Sequence, residues 1–288
     1  MTTPLRRSDP EPARTCRYGT VDNFDIDSYL DGANVLLGGG ANVIMQLSNV
    51  PIGHGVAHSA VYSGRADLRP WKRLRTTVTY LAVALLGNEH DRQIFRTAVN
   101  GSHRMVRSEP GAEVRYNAFD PELQKWVAAC LYFGIVDLRE RLYGPDDRAT
   151  REVFLQYAAR LGTTLQMKPD MWFHTLEEFD EYWQDGLKRH VPDELVAGYL
   201  EDLVDLRNVP RLAVFAPLHR FIVTGLLPAS MREGLDLTWT PRQERRHRRL
   251  LRGLGGVQRR LPAQARLFPY QLLLRDVRRR HRGGRPLV

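Results

Sequence analysis

Long apolar runs are missing from this chain. No stretch of about 18 uncharged apolar residues occurs, which removes a membrane-spanning helix from the expectations. Met1 to Arg7 carry charge but lead into Ser8, Asp9, Pro10 and Glu11 and not into an apolar segment, so no secretory signal is expected and the cytoplasm is the expected location. Cysteine is scarce. Cys16 and Cys130 stand apart without a CxxC or Cys/His spacing, which argues against a disulfide framework and against structural zinc. Alternating strand segments and internal repeats are absent as well, and without them an all-α fold is the remaining class.

Acidic residues are nearly missing from the end of the chain. From Trp239 to Val288 fifteen arginines and no lysine stand against Glu244 and Asp276, an excess larger than the net charge of +9 for the whole. The rest is therefore mildly acidic. Leu250, Leu251, Leu254, Val257 and Leu261 punctuate the arginines, as in amphipathic helices. No helix-turn-helix, zinc-finger or stacking motif accompanies them, so nucleic acid is not an expected partner. A solvated face and a peripheral contact with an anionic membrane surface remain as readings of residues 241–288.

What is present is helical periodicity in a chain with 43% hydrophobic residues, enough for one large domain. Residues 1–22, rich in Pro, Arg, Thr and Ser, read as a flexible arm. Residues 23–240 read as one multi-helix domain, with the helices of 241–288 packed on it. Pro70 suits the first turn of a helix ending at Gly87, with Leu74, Val78, Leu81 and Leu85 on one face. A second helix, from about Asp91 to Arg107, carries Ile94, Phe95, Ala98, Val99 and Ser102 as a stripe with His103 beside it. A third runs from an Asp120 cap through Trp126, Cys130 and Phe133 to Gly144-Pro145.

Two weaker signals lie upstream. Gly38-Gly39-Gly40 lacks a G-x-G-x-x-G or G-K-[ST] context, so it reads as an interruption of a helix where another helix or a flat ligand approaches the backbone, and burial follows from either. His54 and His58 have a one-face helical separation, but Gly53 and Gly55 argue against a firm helix and no H-E-x-x-H glutamate lies between them.

Lys72, Arg73 and Arg75 beside a lone histidine and aromatic residues are what a pocket for an anionic, apolar cofactor needs. Haem requires an axial ligand, a flat apolar slot and partners for its propionates. The residues alone leave His103 open as either a core histidine or a ligand, the arginines as either cofactor contacts or a solvated face, and Tyr80 and Trp126 as either pocket lining or core.

Residues from about Leu36 to Leu237 resemble the DUF2236 family, which groups fungal MpaB oxygenases with the catalytic domain of latex-clearing rubber oxygenases. The resemblance is carried by Gly38 to Leu47, Arg73 to Leu81, Val99-Asn100-Gly101-Ser102-His103, and Tyr116 to Val127. It implies a globin-like helical core, a b-type haem, and oxidative cleavage of isoprenoid double bonds with dioxygen. By it His103 falls on the proximal iron ligand, and Arg75-Thr76 fall near the distal lysine-threonine pair of rubber oxygenases as catalytic candidates, with the lysine absent. Lys72, Arg73, Arg75, Tyr80 and Trp126 are the implied cofactor contacts. Ser48-Asn49-Val50-Pro51 stands where many relatives have Ala-His-Pro. The expected function is a haem b-dependent oxygenase for a hydrophobic substrate. A haem-binding or haem-sensing protein of the same fold, and a helical interaction module using the basic tail, are the alternatives.

Overall fold

In the computed structural model, residues 15–58 and 70–288 are described. Of the expected arm, residues 1–14 lie outside that range, and residues 15–22 lie within it. They form a small antiparallel hairpin, β1 (Thr15–Cys16) and β2 (Gly19–Thr20), with Thr15 opposite Thr20. Tyr18 between the strands packs on Phe24 and Tyr29 at ring distances of 5.7 and 5.3 Å.

Helices follow: α1 (Ile26–Tyr29), α2 (Ala33–Leu47), α3 (Val50–Ala57), α4 (Pro70–Leu86), α5 (Glu89–His103), α6 (Pro121–Tyr143), α7 (Arg148–Tyr157) and α8 (Arg160–Thr163). After a 3-10 turn at Pro169–Met171 come α9 (Leu176–Arg189) and α10 (Glu194–Val204). A second 3-10 segment, Pro210–Phe215, leads to α11 (Ala216–Leu226), α12 (Ala229–Gly234), α13 (Pro241–Gln258), α14 (Ala263–Arg266) and α15 (Tyr270–Arg282). The fold is all-α.

The centre is α2 against α6. Trp126, Ala128, Ala129, Cys130, Leu131, Tyr132, Ile135 and Leu138 of α6 are all buried, the pattern of a helix surrounded by others. Asp120 caps it, accepting from the Glu122 backbone N–H at 2.9 Å, and Gly144 at φ +93° ends it. α2 runs unbroken through its glycines, contrary to the expected interruption. Gly38 faces Leu138 of α6, Gly40 faces His219 and Val223 of α11, and Gly39 meets nothing, so the three are half-buried. The side-chain amide of Asn42 donates to the Cys130 carbonyl at 2.6 Å and stitches α2 to α6.

α3 is also a helix despite Gly53 and Gly55. Those glycines are buried because Val196 and Tyr116 press against them, so packing overrides their low helix propensity. Around this centre, α13 packs on α6 and α11, and α15 packs on α4 and α5. Arg278 of α15 pairs with the buried Asp91 at 2.7 Å, the residue whose carboxylate also closes the Asn88 capping box of α5. Among the described residues no single helix is long and apolar enough to cross a membrane. The pair α2–α3 meets the length and composition but turns by 107°, and Ala41, Ile44, Met45 and Leu47 are core.

Candidate functional site

Helices α3, α4, α5 and α6, with the 106–118 segment and α8, enclose a cavity of about 250 Å³. Its wall includes Lys72, Arg73, Thr76, Thr77, Tyr80 and His103. The spacing of four of these explains their meeting. Arg73, Thr76, Thr77 and Tyr80 stand at i, i+3, i+4 and i+7 of α4, which is one helical face. His103 ends α5 and sits 6.1 Å from the Phe119 ring, edge to face. The rest of the wall is largely apolar, with Ile52, Phe95, Val99, Val127 and Leu131 among it, and contains no aspartate or glutamate among the described residues.

Burial, with the positive charge of Arg73 nearby, pushes the His103 pKa down to about 4. The imidazole is therefore neutral at pH 7. Its Nδ1 is sealed from solvent and has no hydrogen-bond partner among the described residues. Arg73 is itself half-buried, and desolvation lowers its pKa from the ordinary arginine value. Lys72 is exposed at the rim.

Several hydroxyls are already committed. Thr76 donates to the Lys72 carbonyl and Thr77 to the Arg73 carbonyl, each at 3.0 Å. Both then offer the cavity only acceptor lone pairs. Tyr80 donates to the Leu161 carbonyl, and burial raises its pKa far out of the physiological range. The cations of Arg73 and Lys72 are left as the strong donors.

A second cavity, of about 480 Å³, lies between α2, α4, α10, the 202–215 segment and α11. Val35, Leu36, Leu74, Leu203, Leu212 and Phe215 are among the residues that make it strongly apolar, and Gly39 borders it with open space where a Cβ would stand. Gln46, Arg73, Thr77 and Leu131 belong to the walls of both cavities. The two rooms therefore share one seam. Gln46 is held there by donating to Asn42 at 2.6 Å.

A family model, described as the catalytic domain of the ER-bound oxygenase mpaB/B′ and of rubber oxygenase, matches residues 27–256. The chain belongs to this family. It is also 46% identical over 250 residues to the uncharacterized proteins Rv2237 of Mycobacterium tuberculosis and Mb2261 of Mycobacterium bovis, covering 86% of this chain and 98% of each relative. No solved structure matches it.

Within this oxygenase-family domain, two of the expected site residues fall elsewhere. Arg75 is not on the cavity wall. It lies on the other side of α4, 44% exposed, paired with Asp276 of α15, because its position is about 200° around the helix from Arg73. Thr77, not Arg75, is the partner of Thr76 at the cavity. Trp126 is core and not pocket lining. It is 1% exposed, stacked on Trp183 at 5.3 Å and against His190 at 4.2 Å, and its indole N–H donates to the Met45 carbonyl.

Asn49 caps α3 by accepting from the Ile52 N–H, and lies 3.4 Å from the ring of His190. His54 bonds Asp193 at 2.6 Å with the His58 ring 5.2 Å away. Among the described residues no group of three or more His, Cys, Asp or Glu side chains is arranged to hold a metal ion. Gln46 and Val288 were not foreseen in the wall. Gln46 is readable as the four-residue neighbour of Asn42, whereas Val288 arrives only because Gly284 at φ +61° turns the chain back after α15.

Proposed function

We propose that this oxygenase-family protein binds haem b in the His103 cavity and acts with dioxygen on an apolar, isoprenoid-type substrate lodged in the adjoining cavity. One observation carries the reading: a cavity with a neutral buried histidine and two cations, and no aspartate or glutamate among the described residues of its wall, shares a seam with a larger apolar one.

The residues present suit the cofactor. His103 has an unpartnered Nδ1 and a neutral ring, so one ring nitrogen has a lone pair for iron at pH 7 without prior loss of a proton. Arg73 and Lys72 would balance the propionates. Bound haem would supply the iron needed to activate dioxygen.

The chain's own contribution is positioning and exclusion of water. Arg73, touching both rooms, is a donor able to hydrogen-bond an oxygen atom at the seam, while Thr77 can only accept there. Apolar walls hold a hydrocarbon substrate by the hydrophobic effect and leave its polar or reactive segment to Gln46 and Arg73.

Protein produced with haem supplied should carry a Soret band, and His103→Ala should lose it. An intact band in that variant rejects the ligand assignment. Oxygen uptake that depends on terpenoid chains is the second expected result; a Soret band with no uptake on any of them favours a haem carrier or sensor instead.

A further inference from the structure

We propose that the outer face of α13 is a docking surface for an anionic lipid bilayer. The inference stands apart from the haem reading, because it rests on a helix outside both cavities.

α13 is held firmly. The Thr240 and Gln243 capping box starts it, and His247, Leu251 and Gly255 form its buried side. A Cβ at Gly255 would come within 2.1 Å of the Leu142 carbonyl, and one at Gly225 of α11 within 2.5 Å of the His247 ring. The remaining face is thus presented on a rigid support.

That face carries Arg242, Arg245, Arg246, Arg248, Arg249 and Arg252, all exposed and none ion-paired among the described residues. Its one acid, Glu244, is engaged by the Trp239 indole N–H at 2.8 Å. Arg148, by contrast, has Glu152 and Glu177 beside it, and Arg207 has Asp202 and Asp205. The positive charge on α13 is therefore uncancelled locally, and it selects a partner with dense negative charge.

A second feature decides which partner. Leu250, Leu254 and Val257 are 36%, 37% and 56% exposed at i, i+4 and i+7, with Leu261 just beyond the helix, so they form one apolar strip beside the arginines. A helix lying in a bilayer interface buries such a strip among acyl chains while its arginines meet lipid phosphates. A nucleic acid would satisfy the charge but leave the strip in water, and α13 has no exposed aromatic ring for base stacking.

The test is co-sedimentation of the full chain with phosphatidylcholine vesicles, with and without phosphatidylglycerol, at low and high salt. Binding should require the anionic lipid and weaken with salt. Arg245→Glu with Arg249→Glu should reduce partitioning by about 25-fold or more, at about fivefold for each of the two arginine charges removed. Val257→Glu should remove whatever binding survives high salt. All three positions are exposed, so an unchanged melting temperature and helical circular dichroism verify that these variants fold. Equal binding to neutral vesicles, or wild-type binding by the charge-reversed variant, overturns the proposal. Tighter binding to an RNA or DNA oligonucleotide than to anionic vesicles, lost in the same variants, overturns it in favour of nucleic acid.

Discussion

At the scale of single residues, the neutrality of His103 has a consequence for stability. Its folded pKa, about 4, lies below the ordinary histidine value of about 6.5. Between those values the unfolded chain binds a proton that the folded one refuses, so stability falls as pH drops through this window and is fully restored above it. In haem-free protein the loss between pH 7 and pH 5 should be about 2 kcal/mol from this one group. Urea titrations at the two pH values, compared with His103→Gln, measure it; equal acid sensitivity in the variant would show that other groups carry the effect. His103 was legible in the sequence because it sits at the end of an amphipathic stripe within a recognisable motif. The face of α4 was legible too, since Arg73, Thr76, Thr77 and Tyr80 share a helical side. The resemblance pointed to Arg75-Thr76, and of these Thr76 lies on the cavity wall while Arg75 lies on the other side of α4. Trp126 could not be oriented from sequence, because a helix apolar on every side gives no direction to its residues.

At the scale of elements, α13 contains its own controlled comparison. Gly253 and Gly256 have nothing within 4 Å of where a Cβ would stand, whereas Gly255 abuts the backbone of Leu142. Gly253→Ala or Gly256→Ala should stabilise the protein by about 0.5–1 kcal/mol through helix propensity. Gly255→Ala should destabilise it by roughly 1–3 kcal/mol, because the obstacle is a backbone carbonyl that cannot rotate away. Chemical denaturation of the three variants checks the signs, and a stabilising Gly255→Ala would mean that α13 does not rest on α6. The same contrast explains which parts of the helical map were readable. Ends marked by chemistry, such as Asp120 and Gly144 around α6, were placed correctly. Interiors with glycine in α2 and α3 were misjudged, because propensity disfavours a helix there and only the neighbouring helices supply the reason to form one.

At the scale of the whole molecule, the arrangement is two rooms with a common wall, and each can be altered without touching the other. Gly39 offers the means. It borders only the apolar room, its Cβ direction is open, and replacing a helical glycine does not oppose the helix. Gly39→Phe should therefore fill part of the 480 Å³ cavity without repacking α2 against α6 or α11. On the proposed function, this variant keeps its Soret band but binds an apolar fluorescent fatty acid roughly tenfold more weakly, a change of about 1.4 kcal/mol, and its substrate-dependent oxygen uptake falls in step. His103→Ala should give the reverse, losing the Soret band while retaining the fluorescent probe. The pair of variants separates the two rooms experimentally. If Gly39→Phe loses the Soret band as well, the cofactor extends across the seam at Gln46, Arg73, Thr77 and Leu131 into the larger cavity. If it alters neither binding nor uptake, the apolar substrate is lodged elsewhere.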